Sequence, residues 1–339
     1  VEPPGRTTTG DTGARTCDHV RRYREDVALM RQLNLQAYRL SISWPRVLPG
    51  GRGAVNEAGL DFYDRLIDAL LAADIVPFVT LYHWDLPAAL QMELAGWEHP
   101  DLPRIFADYA TLMFDRLGDR VEYWMTLNEP WCVVDGGYFA GVHAPGIQDR
   151  ARGFRAGHQL LRAHACAVAA YRAGRNNSGA ISLALNSDFN YPASSSPADR
   201  AAAEQAMLDF AGWFGDPVYF GDYPTEMRAA YGELLPPFSD EDQRLLIGSM
   251  DYLAVNYYTS QIARHDDTHP MGYTKQPDPA RALTETGWAI VPEGLGDLLG
   301  WLHNRYDGPA MVITENGVAL PDRVEADGSV NDVERIAYL

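Results

Sequence analysis

Glu129 and Glu315 occupy matching settings. Each closes an apolar run, YWMTLNE at 123–129 and MVITE at 311–315, and each has an asparagine beside it, Asn128 and Asn316. A carboxylate at the tip of a buried strand carries a desolvation cost, which marks it as a functional candidate. Pro130 is expected to keep Glu129 extended, because its ring disfavours the helical region for the residue before it. Gly317 is expected to let the chain turn sharply after Asn316. Two carboxylates that face each other suit cleavage of a glycosidic bond. One, kept protonated, gives its proton to the leaving oxygen; the other attacks or stabilises the anomeric carbon. A spacing of roughly 5 to 5.5 Å gives retention and a wider one inversion, and the residues alone leave both open.

Other polar groups recur near the ends of apolar runs: Arg39, His83 with Trp84, Asn186, and Asn256 with Tyr258. Trp84, Trp131 and Trp288 offer flat faces for a pyranose ring. His83 is a candidate donor to a sugar hydroxyl. Arg39 supplies a fixed cation that would lower the pKa of one glutamate and keep it ionised as a nucleophile. No HExxH occurs and the acidic residues do not cluster at ligand spacing, so neither a metal nor a cofactor is expected. No GxSxG elbow points to a serine hydrolase.

The elements that must position these groups alternate regularly. Apolar strands are expected at 36–44, 75–84, 121–129, 180–186, 250–259 and 310–316, separated by helices near 18–33, 56–70, 101–117, 151–171, 197–212, 240–249 and 293–306. Asn56 is the expected N-cap of the second helix, and 264–280, rich in Asp, His and Pro, reads as a loop. Strands buried on both faces and joined by helices form a parallel sheet. A doubly wound sheet is the alternative, but no GxGxxG follows any strand. Polar residues at successive strand ends favour an α/β barrel, whose sites are assembled there. On that fold Glu129 and Glu315 belong to the third and sixth strands, on opposing sides of one mouth.

Composition limits the partners. A net charge of −18 over 339 residues opposes a nucleic-acid surface. No apolar run approaches the roughly 18 residues of a membrane span. Three widely spaced cysteines, Cys17, Cys132 and Cys166, form no CxxC pair and are expected to stay reduced, which fits the cytoplasm.

TLNEP (126–130) and VITENG (312–317) resemble glycoside hydrolase family 1, the retaining β-glucosidases. CDHVRRYREDVALM (17–30), YRLSISWPR (38–46), LYHWDLP (81–87), GVHAPG (141–146), NYYT (256–259), GWAIVPEGL (287–295) and GDTG (10–13) are similar to that family in its order. The resemblance implies a single (β/α)8 TIM barrel over residues 1–339 and a small-molecule β-glycoside as substrate. It implies Glu129 as acid/base and Glu315 as nucleophile. Asn128 would hold the sugar 2-hydroxyl and His83 with Trp84 the 3-hydroxyl. Tyr258 would bond the nucleophile, with Arg39 close by and Asn256 in support. Trp288, Asn186 and His143 would line the leaving-group side, with Cys132 at its edge.

The family's first strand, with a sugar-binding Gln, and its eighth strand, with a Trp-rich segment, have no counterpart here. The six strands are therefore expected to be the second to seventh of an incomplete barrel. The chain on its own is expected to turn over weakly, since transition-state binding would lack those contacts. A 6-phospho-β-glycosidase and a non-catalytic sugar-binding remnant are the alternatives.

Overall fold

The computed structural model describes residues 16–338 together with Gly10 and Gly13. Asp11 and Thr12 of the GDTG motif, and the stretch before Gly10 where the first strand was sought, lie outside the described residues. Nine strands follow in chain order: β1 (Ala37–Ser41), β2 (Val76–Tyr82), β3 (Tyr123–Asn128), β4 (Ala180–Asn186), β5 (Phe189–Pro192), β6 (Leu253–Asn256), β7 (Ser260–His265), β8 (Tyr273–Pro277) and β9 (Met311–Glu315).

Six of them make one sheet, in the order β1-β2-β3-β4-β6-β9, with every pairing parallel. The order runs in one direction with no reversal. A doubly wound sheet needs a reversal, so the order matches consecutive barrel strands instead. Val79, Leu81, Trp124, Ile181, Leu183 and Leu253 are buried to 1% exposure or less. The helices Glu57–Ala72, Leu102–Leu117 and Arg150–Ala173 cover one face of the sheet with rows of Leu, Ile, Phe and Tyr. Each such side chain contributes about 1.5–3 kcal/mol on burial. On the other face Met125, Ala184, Tyr252 and Ala254 pack together, and Phe78 stacks on Tyr123 with centroids 4.3 Å apart.

An aromatic seam fixes the end of β2, from which two candidate site residues emerge. Trp44 stacks on Tyr109 with centroids 5.0 Å apart. The Tyr109 hydroxyl donates to the Leu81 carbonyl at 2.9 Å, and the Trp97 indole donates to Tyr82 Oη at 3.0 Å. His83 and Trp84 follow directly from this clamp.

The structure departs from the sequence reading at three places. Residues 264–280 are not loop throughout: 264–265 and 273–277 belong to β7 and β8, which pair antiparallel, and β5 pairs parallel to β7, giving a small three-stranded sheet. These strands are short and half exposed, so no long apolar run announces them. Asn56 stands at the N-cap as expected, its carbonyl accepting from the Gly59 and Leu60 amides at 3.0 Å, but its side-chain amide donates to the Arg46 carbonyl at 2.9 Å instead of closing the cap. Single-turn helices at Trp44–Val47 and Pro130–Val134, too short for periodicity to reveal, follow β1 and β3.

One buried ion pair ties the helix Trp213–Phe220 to the helix Glu293–Arg305. Arg305 grips Asp216 with two donors, Nε to Oδ1 at 2.7 Å and Nη2 to Oδ2, while the Tyr306 hydroxyl donates to Oδ1 at 3.0 Å. The Asp216 side chain is 5% exposed and Arg305 24%. Removing one partner of a buried pair strands the other charge, at about 3–5 kcal/mol. Asp216→Ala is expected to destabilise the fold by that amount in chemical denaturation. An unchanged midpoint would show that the pair contributes nothing.

Candidate active site

Backbone geometry places the first carboxylate. Glu129 has φ 45° and ψ 66°, in the left-handed region, and Pro130 opens the one-turn helix Pro130–Val134. The expectation that Pro130 keeps Glu129 extended is therefore wrong. The proline ring excludes the right-handed helical basin for its predecessor, and here the left-handed basin is occupied instead of the β region. A non-glycine residue there is strained by an order of 1–2 kcal/mol and persists only where its surroundings hold it. The Glu129 amide donates to the Ala184 carbonyl at 2.9 Å. Trp84, at the end of β2, is likewise left-handed at φ 76°.

The pairing register shifts at both carboxylates. The β3–β4 ladder slips between Met125 and Asn128, and the β6–β9 ladder slips between Val255 and Asn256, which brings Asn256 opposite Glu315. Such irregularities re-aim side chains at strand ends. Gly317 lies outside the left-handed region, so the turn after Asn316 does not draw on glycine's freedom, contrary to expectation. Asn316 itself braces the turn, donating to the Tyr257 carbonyl at 2.8 Å and meeting Tyr338 Oη at 3.0 Å.

A continuous hydrogen-bond network joins the strand ends. Arg39 donates to Glu315 Oε1 through Nη1 and to Asn128 Oδ1 through Nη2 at 2.6 Å. The Tyr258 hydroxyl donates to Glu315 Oε2 at 2.6 Å, so both oxygens of that carboxylate are held. Asn256 Nδ2 donates to Glu129 Oε1 at 2.7 Å and to Asn128 Oδ1 at 3.1 Å, while its own oxygen accepts from the Thr314 hydroxyl at 2.6 Å. Asn128 is fully buried. Its oxygen receives Arg39 and Asn256, which orients the amide so that Nδ2 donates to His83 Nε2 at 3.1 Å. That leaves the His83 proton on Nδ1. His83 uses only one of the two Nδ2 hydrogens, which leaves the second as the donor a ligand hydroxyl would meet. The Trp84 indole N–H is engaged by the Asn128 carbonyl at 3.0 Å, which makes the ring face its free surface.

The electrostatic settings of the two glutamates differ. Burial raises the Glu129 pKa above the ordinary carboxylate range; the Asn256 donor pulls it back, and the nearby Glu315 charge pushes it further up. Glu315 has instead a guanidinium on one oxygen and a phenol on the other. Burial lowers the His83 pKa, Glu315 opposes this and Arg39 reinforces it, leaving a neutral imidazole. Burial, first, and the Glu129 charge raise the Cys132 thiol, so it is not a thiolate nucleophile.

Glu129 and Glu315 open onto one cavity of about 500 Å³, with His83, Trp84, Cys132, His143, Asn186, Asn256, Tyr258 and Trp288 in its wall. Trp131 lines it too, so the structure brings together eleven of the thirteen candidate residues singled out from sequence. Arg39 lies one layer away, on a neighbouring cavity of about 640 Å³ that shares Glu315 and His83, and Asn128 is enclosed between the two carboxylates' partners. Trp288 packs against Tyr258 and His143 against Trp84, with centroids 5.6 and 5.5 Å apart. Asn186 Nδ2 donates to Cys132 Sγ at 3.2 Å. Asp188, Phe210 and Gln261 also line the cavity and were missed. Asp188 lies two residues past Asn186 and Gln261 three past Tyr258, so closeness to a strand end was the available signal; Phe210 carried none. Among the described residues no group of three or more His, Cys, Asp or Glu could hold a metal ion.

Comparison with known proteins gives a consistent outcome. The family model described as Glycosyl hydrolase family 1 matches residues 1–339. The chain is 43% identical over 339 residues to beta-glucosidase A of Thermotoga maritima, covering 99% of this chain and 75% of that protein. It is 41% identical to the 1,4-beta-D-glucan glucohydrolase of Thermotoga neapolitana, covering 79% of it. Among solved structures it is similar to the family 1 b-glucosidase from Thermotoga maritima, with a TM-score of 0.94, 42% identity, and coverage of 99% of this chain and 75% of that one. The beta-glucosidase from the same organism in complex with glucoimidazole matches equally, at TM-score 0.94.

Proposed function

Because the chain belongs to glycosyl hydrolase family 1, a family of TIM barrels, we propose that Glu129 and Glu315 carry out its retaining hydrolysis of terminal β-D-glucosyl residues. One observation supports this assignment above the rest: two carboxylates share one cavity in opposite settings. Glu129 is buried and held toward its protonated form, as a general acid requires. Glu315 is bound at both oxygens by Arg39 and Tyr258, which aim it as a nucleophile.

With a glucoside in the cavity, Glu315 attacks the anomeric carbon while Glu129 passes its proton to the departing oxygen. A glucosyl ester on Glu315 results, and the leaving group departs as the alcohol. Glu129, now ionised, removes a proton from an incoming water. That water displaces Glu315 at the anomeric carbon, and two inversions give net retention. His83 and Asn128 stand on the sugar side, with Trp84 offering its ring face and Asn256 tying Glu129 to Asn128. Trp288, Asn186, His143 and Cys132 form the leaving-group side.

The substrate is a small-molecule β-glycoside. No helix among the described residues is long and apolar enough to cross a membrane. Three free cysteines support residence in the reducing cytoplasm. The test is the configuration of the first-formed sugar, followed by proton NMR during hydrolysis of an aryl β-glucoside. β-Glucose is expected first, mutarotating later. α-Glucose as the initial product would refute the nucleophile assignment, and hydrolysis of a 6-phosphoglucoside alone would move the activity to phosphorylated sugars.

A further inference from the structure

Cys132 stands three residues after Glu129, on the one-turn helix Pro130–Val134 that begins where Glu129 turns left-handed. Side chains three apart on a helical turn are neighbours, and each leans toward the helix N-terminus, so Cys132 leans back over Glu129. Its thiol donates to the Glu129 carboxylate. The sulfur in turn accepts from Asn186 Nδ2, at the end of β4, at 3.2 Å. A chain of hydrogen bonds thus runs from β4 through the sulfur to the carboxylate, beside the bond that Asn256 Nδ2 makes to Oε1 at 2.7 Å.

A thiol is a weak donor and a weak acceptor. An amide N–H on the sulfur polarises the S–H and strengthens the bond it gives. The thiol keeps its proton: burial first, then the charges of Glu129, Asp135 and Asp188, raise its pKa. It is therefore a donor in both protonation states of Glu129. The groups facing Glu129 divide by sign. Burial raises its pKa most and Asn256 lowers it; the Glu315 charge raises it, and the thiol and Arg39 lower it. Arg39 is bound to Glu315 and Asn128, and Tyr258, which also faces Glu129, is bound to Glu315. Asn256 is shared with Asn128 and Thr314. Cys132 is thus the donor to Glu129 that can be removed without breaking the sugar-side network.

We infer that Cys132, oriented by Asn186, is a positioning residue for the acid/base step, its thiol holding the Glu129 carboxylate together with Asn256. This rests on the assignment of Glu129 above and adds a partner to it. Glu129 must carry its proton in the first step and lose it in the second. A strong cationic donor in this place would strip the acid of its proton, and no donor would leave the ionised form unsupported. A weak one serves both steps.

The test reads the pH dependence of kcat/KM for an alkyl β-glucoside, whose leaving oxygen needs the proton. Cys132→Val removes the donor at nearly constant volume and is expected to move the alkaline limb up by about 0.5 to 1 pH unit. Cys132→Ser restores a donor and is expected to keep the limb at or below its parent position. Asn186→Leu should move it the same way as Cys132→Val by less, and add nothing in the double variant, since it acts through the thiol. On the unaltered enzyme, the infrared S–H band that Cys132→Val removes is expected to change frequency in step with that limb. A limb unmoved in Cys132→Val, or an S–H band indifferent to pH, overturns the inference while the acid/base assignment stands. A limb that survives Glu129→Gln removes that assignment and this inference with it.

Discussion

Glu315→Ala is expected to abolish aryl β-glucoside hydrolysis, with kcat falling by about 10⁵–10⁶, the range seen when a nucleophile acting within a unit is removed. The magnitude follows from the geometry. Glu315 is the meeting point of Arg39 and Tyr258, and its loss leaves a guanidinium and a phenol facing an empty position. No other described carboxylate takes its place, because Glu129, across the cavity, is held toward protonation. A small external anion such as azide has room in the vacated site. Its attack from the Glu315 side should give the α-glycosyl azide, a single inversion. The measurement is residual kcat with and without azide, with the anomer assigned by NMR. Turnover above about one thousandth of the parent rate, unaffected by azide, would mean that another group is the nucleophile.

Glu129→Gln is the second large effect, and its signature is selective. A general acid contributes about 10²–10⁴, and only where the departing oxygen needs a proton. Glucosides of poor leaving groups should lose that factor in kcat/KM. A dinitrophenyl glucoside, whose phenolate departs unaided, should form the glucosyl-enzyme at near the parent rate and then accumulate it, since the base for the second step is gone. The pH profile carries the same information. The Glu129 pKa is raised in the folded state, so the acid is present at lower pH and is lost as pH rises through that value. The parent's alkaline limb should therefore flatten in Glu129→Gln for poor leaving groups. Equal losses across all leaving groups, with the limb intact, would assign the proton to another residue.

The barrel arc was legible because its strands are buried on both faces, which writes them as continuous apolar runs such as 76–82 and 180–186. The carboxylate pair was legible for a related reason: a charged residue closing such a run stands out. What stayed hidden depends on features that leave no run. The hairpin 260–277 is half exposed, and its strands alternate too briefly to register. The left-handed turn at Glu129 is not readable from the dipeptide Glu-Pro, since that sequence is compatible with the β region as well. Asp188 and Phe210 come from segments far apart in sequence, and only tertiary packing brings them to one cavity wall.

On the roles proposed above, Glu129 and Trp84 are places where folding and chemistry want different residues. At φ 45° and 76°, glycine or asparagine would sit more comfortably than a glutamate or a tryptophan. A chain selected for stability alone would drift away from both. On the roles proposed for these two side chains, the backbone angles mark where catalysis and the preferences of the polypeptide pull in opposite directions.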